Sequence, residues 1–208
     1  MNKYKLITII GNIGVGKSTL TDLLGKALSA AKVPADSLFK VNPFFPLTLN
    51  DRARWSLTSD LWFLYERVRA ETEIPQLLKT AYVMVDSGLP MSWVYAHSRV
   101  GSGYFTRDEW ELYKSIHDML IQKVVFPDIV IYLKASVEFL VKRIRERGRE
   151  FELRYYTAEY LENLTAGLNL VIKKLKRHGV RVITVNAMKQ DFVGDVLQLQ
   201  KLVKQIIE

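Results

Sequence analysis

The sequence predicts an α/β domain in which a five-stranded parallel sheet is flanked by helices in three layers, α/β/α. Three observations carry that expectation. Short apolar runs alternate with segments of helical period, the pattern of strands joined by crossover helices. The first run, Lys5–Ile10, passes through a glycine-rich turn straight into an amphipathic helix. The chain has 208 residues and 49% apolar content, enough for one domain with a full core, with no repeat or low-complexity tract to divide it; a single domain over residues 1–208 is expected.

The expected elements follow in order. Lys5–Ile10 reads as a buried strand and Lys17–Ala31 as a helix. A weak strand falls near Ser37–Val41. Leu57–Lys79 is read as a helix, with Leu57, Leu61 and Leu64 at helical spacing. Strand Ala81–Val85 runs into Asp86. Helix Arg107–Val125 opens on a capping box, Thr106 with Glu109 three residues on. Strand Ile129–Leu133 precedes helix Val137–Arg147, which Ser136 can cap. Gly179 is placed to end helix Ala158–Arg177 before strand Val180–Val185, and Phe192–Ile207 closes the chain as a helix. In such sheets ligands bind beyond the carboxyl ends of the strands. That edge collects Gly11–Ser18, the segment after Val41, Asp86 and its followers, and Asn186–Phe192.

Composition narrows the function classes. No apolar run approaches the roughly 20 residues of a membrane span, and the first run stops at Gly11, too short for a signal peptide. The absence of cysteine excludes a disulfide framework and fits a reducing cytosol, so a cytoplasmic protein without a membrane partner is expected. His97, His117 and His178 lie far apart without ligand spacing. The net charge of +8 is concentrated in 142–149 and 173–181 rather than along an aromatic-studded stripe, which argues against nucleic acid as the main partner.

The chemistry sits first in Gly11-Asn12-Ile13-Gly14-Val15-Gly16-Lys17-Ser18-Thr19, which fits G-x-x-x-x-G-K-[ST]. Glycines let a backbone wrap a phosphate chain, and the helix that follows presents its positive end. Lys17 would reach the β- and γ-phosphates of a nucleoside triphosphate and Ser18 would ligate Mg²⁺. Asp86, at a strand tip beside that loop, suits the Mg²⁺ shell or a reacting hydroxyl. The basic segment Arg143–Glu152 has two readings on composition alone, a solvated helix end or a mobile lid that brings guanidinium groups onto a transferring phosphate. Trp55, Trp62, Phe63, Tyr65 and Trp93 divide between packing and a slot for a flat base.

These motifs, with several others in order, resemble the deoxyribonucleoside kinase family, and most closely its bacterial purine-type members. The matching segments are the phosphate loop 11–19, Asn42-Pro43-Phe44, Arg54-Trp55-Ser56 with Phe63-Leu64 and Arg67, Glu109-Trp110-Glu111-Leu112-Tyr113, Pro127-Asp128-Ile129-Val130-Ile131-Tyr132-Leu133, Arg143 through Glu152, Glu159-Tyr160-Leu161, and Asp191-Phe192. The resemblance implies a P-loop kinase fold with a helical lid over about 143–155. It also implies transfer of the ATP γ-phosphate to a nucleoside 5′-hydroxyl with Mg²⁺, and a homodimer built on helices. Arg147 and Arg149 would clamp the transferring phosphate, Arg143 and Asp191-Phe192 would lie by the ATP base, and Glu152 would hold the sugar 3′-hydroxyl. The departures are concentrated on the acceptor side. The family's general-base carboxylate aligns with Ser37, leaving Asp36 to serve, and its base-reading glutamine falls on Asp60. The arginine that follows its strand-tip acid is replaced by Ser87, for which Arg52, Arg67, Arg69 or Arg99 would have to compensate. A carboxylate at 60 only accepts hydrogen bonds, which favours guanine's two adjacent donors. These departures leave open a catalytically impaired nucleotide-binding subunit and a thymidylate-type monophosphate kinase.

Overall fold

The computed structural model describes residues 4–33 and 36–208, apart from the Asp36 side chain. Five parallel strands, β1 (Leu6–Gly11), β2 (Ala31–Val33), β3 (Val83–Asp86), β4 (Ile129–Lys134) and β5 (Arg181–Asn186), form one sheet in the order β2-β3-β1-β4-β5. All of β1 and β3, and β4 as far as Leu133, are buried. The central strands therefore have no solvent face, which is why they are almost continuously apolar. Asp128 Oδ2 accepts from the Leu6 N–H at 2.7 Å and ties the start of β1 to β4, where Ile7 stands opposite Ile129.

The helices are α1 (Lys17–Ala27), α2 (Phe45–Asn50), α3 (Arg52–Glu71), α4 (Ile74–Leu77), α5 (Gly88–Gly101), α6 (Arg107–Ile121), α7 (Val137–Arg147), α8 (Glu150–Tyr155), α9 (Ala158–Arg177) and α10 (Val196–Ile207). In α9, Leu161, Leu164, Leu168, Val171, Ile172 and Leu175 make one buried stripe against the sheet's main core. Each such side chain contributes about 1.5–3 kcal/mol by burial. A second cluster, with Leu64, Val68, Leu89, Ala96 and Tyr113, joins α3, α5 and α6 and fixes the wall across the cleft. The expected caps are present. Thr106 and Glu109 form the reciprocal box, Ser136 Oγ accepts from Phe139 N, and Gly179 turns at φ 78° after α9.

Four expectations change. The second strand is Ala31–Val33, whereas 36–40 form a 3₁₀ turn. The Ala-rich stretch after Lys17 favours helix, yet α1 stops at Ala27, Ser29 turns at φ 49°, and Ala31 N–H donates to Tyr82 O to begin pairing with β3. Sheet pairing overrides local propensity there. The helix expected over Leu57–Lys79 begins at Arg52, capped by Asp51, and ends at Glu71, because Pro75 opens the separate α4. The last helix starts at Val196, since Asp195 caps it, and not at Phe192. Helix α5 has no counterpart among the expected elements; Pro90 falls in its first turn, where a missing N–H costs nothing.

Candidate active site

At the carboxyl end of β1 the chain passes within 2.7 Å of Leu133 O and 2.9 Å of Val15 Cγ1, measured from where a Cβ on Gly11 would stand, so only glycine fits. Gly16, at φ 105°, turns the loop into α1. The glycine turns lead directly into the positive end of an eleven-residue helix. The Asn12 side chain is structural. Its Nδ2 donates to Leu161 O at 2.7 Å and Thr165 Oγ1 at 2.9 Å, and its Oδ1 accepts from Ile13 N, so the loop is tied to α9. Lys17 is buried and its Nζ donates back across the loop to Asn12 O at 3.1 Å.

Gly148, at φ 67°, ends α7 within the lid segment. Both lid arginines converge on Glu152, whose side chain is 4% exposed. Arg149 Nη1 donates to Oε1 at 3.1 Å, while Arg147 makes an ion pair with Oε2 that lacks hydrogen-bond alignment. The Glu152 carboxylate thus engages both lid guanidiniums.

The wall built by α3 and α5 is unusually charged for a buried surface. Arg99 Nε donates to Asp60 Oδ2 at 3.2 Å, with both side chains buried. Burial pushes the Asp60 carboxyl up and Arg99 counters it; the same carboxylate helps hold the Arg99 proton more tightly than usual. Arg67 Nη1 donates to Ser92 Oγ at 2.9 Å. Arg52 lies over the rings of Tyr155 and Tyr104, at 4.9 and 5.4 Å, and donates to Tyr155 O. At the tip of β3, Ser87 takes φ 69° and its Oγ donates to Asp86 Oδ1 at 3.0 Å. Just behind it, Glu71 Oε1 accepts from the Leu89 N–H at 2.8 Å and steadies the start of α5, and burial pushes its carboxyl up to about 7.

One cleft of about 550 Å³ brings these groups together. It is lined by the loop and first turn of α1, by Arg143, Arg147, Arg149 and Glu152 of the lid, and by Asp60, Arg67 and Arg99 of the wall. The sequence profile of deoxynucleoside kinases matches residues 7–208. The chain belongs to the deoxynucleoside kinase family. It is 28% identical over 212 residues to a deoxyguanosine kinase of Bacillus subtilis, covering 100% of this chain and 99% of that one. It is 29% identical over 218 residues to a deoxyadenosine/deoxycytidine kinase of the same organism, covering 98% and 92%. A deoxyadenosine kinase from M. mycoides solved with bound dATP superposes with a TM-score of 0.79 at 21% identity, over 99% of this chain and 100% of that one, a likeness of fold. The kinase is therefore a phosphotransferase with the P-loop kinase fold. Nothing in these relatives favours a regulatory subunit or a monophosphate kinase.

Within the kinase, the expected donor-side residues Ile13, Gly14, Gly16, Lys17, Ser18, Thr19, Arg143, Arg147 and Arg149 line the cleft, as do Asp60, Arg67 and Glu152. Gly11, Asn12 and Val15 shape the loop from beneath. Asp86 is buried at the strand tip and does not line the cleft. Asp191 and Phe192 also stand outside the lining. Asp191 Oδ1 accepts from Val193 N and Gly194 N in a local turn, and Phe192 packs on the core. The Asp36 side chain lies outside the described residues. Asp60 is corrected from a lone acceptor to half of an ion pair. Of the four arginines that could replace the one missing at Ser87, Arg52, Arg67 and Arg99 reach the cleft, whereas Arg69 turns to solvent and pairs with Glu66 at 2.6 Å. The sequence points to Arg99 only as one of four arginines that could compensate for Ser87, and it does not mark Tyr156 or Tyr160 as site residues. For Arg99 a signal existed: it is the one Lys, Arg, Asp or Glu in the segment 88–101.

Proposed function

We propose that the kinase transfers the γ-phosphate of ATP to the 5′-hydroxyl of a deoxynucleoside, with a purine nucleoside as the acceptor, in the cytoplasm. The observation that carries this reading is the single cleft joining a glycine phosphate loop to an aromatic pocket under an arginine lid. Bound ATP with Mg²⁺ would supply the phosphoryl group and neutralise charge between its phosphates. The donor set in the cleft fits the phosphates through the loop and Lys17, with Ser18 as the cation's hydroxyl ligand; Asp86, buried at the β3 tip, would act on the cation from behind the cleft lining. Among the described residues no cluster of three or more His, Cys, Asp or Glu could hold a metal alone, so the cation would depend on phosphate oxygens as well.

Arg147 and Arg149 release Glu152 and turn to the transferring phosphate, which leaves the Glu152 carboxylate for the sugar 3′-hydroxyl. Arg143 would flank the ATP base. Asp36 accepts the 5′-hydroxyl proton; phosphoryl transfer depends mainly on positioning and charge stabilisation, so a base displaced from the family position is compatible with turnover. Asp191-Phe192 would reach the ATP base only by rearranging the turn that now holds them. A homodimer is supported by exposed Tyr65 on α3 and Leu112 and Met119 on α6, two packed helices with apolar side chains facing solvent; light scattering on the purified chain tests it.

The test is a panel of deoxynucleosides with ATP and Mg²⁺, read as phosphate transfer. Turnover that requires Lys17 and is faster on deoxyguanosine than on deoxycytidine or thymidine is expected. Faster turnover on the pyrimidines would sink the purine reading, and no transfer to any nucleoside would sink the kinase reading.

A further inference from the structure

The wall of α3 and α5 holds more hydrogen-bond donors than acceptors. Arg67 is 5% exposed, and its Nε is buried without a hydrogen-bond partner. Its single hydrogen bond goes to the Ser92 hydroxyl, and among the described residues it has no ion pair. Arg99 lies on the same cleft with one N–H committed to Asp60. A guanidinium donates along several N–H bonds and accepts none. Two buried guanidiniums therefore line the cleft from this wall with one carboxylate, Asp60, while Glu71, the other buried acid of α3, lies behind the lining and accepts from the Leu89 N–H. Aromatic rings hold the groups in place: Phe63 and Tyr95 stand 5.3 and 5.8 Å from Arg67, and Tyr160 stands 5.8 Å from Arg99.

A base edge that satisfies this wall must bring lone pairs, together with one N–H for Asp60. A carbonyl oxygen beside a ring N–H does both: its lone pairs accept from the guanidiniums, and the N–H donates to the carboxylate. The amino-substituted edge of adenine or cytosine sets an NH₂ where the carbonyl would be. That edge offers one lone pair, at its ring nitrogen, and two N–H donors, where the oxo edge offers two lone pairs and one donor, so on this donor-rich wall it leaves more buried N–H groups unpaired. We propose that Arg67, Asp60 and Arg99 together select nucleosides whose base presents a carbonyl next to a ring N–H, over those that present an amino group next to an unprotonated ring nitrogen, as adenine and cytosine do. This rests on the nucleoside kinase reading and cuts across the purine–pyrimidine division. It also replaces the expectation from Asp60 alone, since the carboxylate is read jointly with its arginine.

Two substrate pairs isolate the edge at constant ring size: deoxyinosine against deoxyadenosine, and deoxyuridine against deoxycytidine. kcat/KM is measured for each with ATP and Mg²⁺, and binding of each nucleoside alone by calorimetry. The oxo member should win in both pairs, by on the order of 10–100-fold. The double variant Asp60→Gln/Arg99→Leu places a neutral amide, donor and acceptor at once, at position 60, and should move both ratios toward parity. Arg67→Met is a second variant with the same expected direction. Equal or reversed ratios in the wild-type enzyme, with nucleosides turned over, overturn this inference and leave the kinase reading standing. Unchanged ratios in a folded Arg67→Met also overturn it. A panel with neither binding nor turnover overturns the kinase reading and this inference with it.

Discussion

The two sides of the cleft are built in different ways. The phosphate loop uses backbone: glycines at positions where a Cβ collides or φ is positive, and a helix end behind them. Its parts are contiguous in the chain, from Gly11 to Thr19. The opposite wall uses side chains that meet only in the fold, such as Asp60 on α3 and Arg99 on α5, 39 residues apart. A loop made of backbone can keep its geometry while surrounding residues change. A wall made of buried charges sets its own chemistry and its own stability, so a substitution there should alter both. On the loop, substitution of the side chain at Lys17 should alter turnover far more than stability.

The largest effect separating the two is expected at Lys17. Lys17→Ala should lower kcat/KM on the order of 10⁴-fold, because the cation facing the phosphates is gone, with little change in urea midpoint. A comparable loss of stability would show that the loop is not independent of the core.

Next comes the wall. Asp60→Leu alone strands Arg99 as a buried charge and should cost about 3–5 kcal/mol of folding stability, whereas Asp60→Leu/Arg99→Met should return close to wild type while still losing nucleoside binding. Urea unfolding of the two singles and the double measures this. Additive losses would show that the pair is not coupled.

Arg147→Ala is expected to cost about 10²–10³-fold in kcat, on the proposal that this partly exposed lid group meets the transferring phosphate, with a smaller loss of stability than Asp60→Leu. An effect confined to KM would place Arg147 in ground-state binding instead.

The smallest effect concerns Glu71, behind the wall. Its carboxyl moves from the ordinary 4.5 to about 7 in the fold, mainly through burial. The fold thus favours its protonated form. That contribution is complete below about pH 4.5 and is lost as the pH rises through about 7, amounting to about 3 kcal/mol. Glu71→Gln still offers Leu89 an acceptor but does not titrate. The stability of wild type relative to Glu71→Gln should therefore fall between about pH 4.5 and 7 and level off above. A flat difference would mean that Glu71 titrates as it does in the unfolded chain.

The same contrast explains what was legible in the sequence. The strands of the sheet centre, the phosphate loop, the capping box at Thr106 and the lid glycine are written in short, local patterns, and each stands where those patterns put it. The edge strand was not legible, because three residues pairing with β3 leave no periodic trace in an Ala-rich stretch. Nor was the Asp60–Arg99 pair. Local alignment shows a carboxylate at 60, but only the packing of α3 on α5 shows which cation it faces. Arg99, the one Lys, Arg, Asp or Glu of α5, was the available hint, and a buried arginine in such a setting asks for a partner.

The most direct test of the central claim, that an intact phosphate loop here serves a rebuilt acceptor wall, is [γ-³²P]ATP transfer to a panel of deoxynucleosides by the wild-type chain and by Lys17→Ala. Label in a nucleoside monophosphate, lost in the variant, is the expected result. ATP binding without transfer to any nucleoside would contradict it.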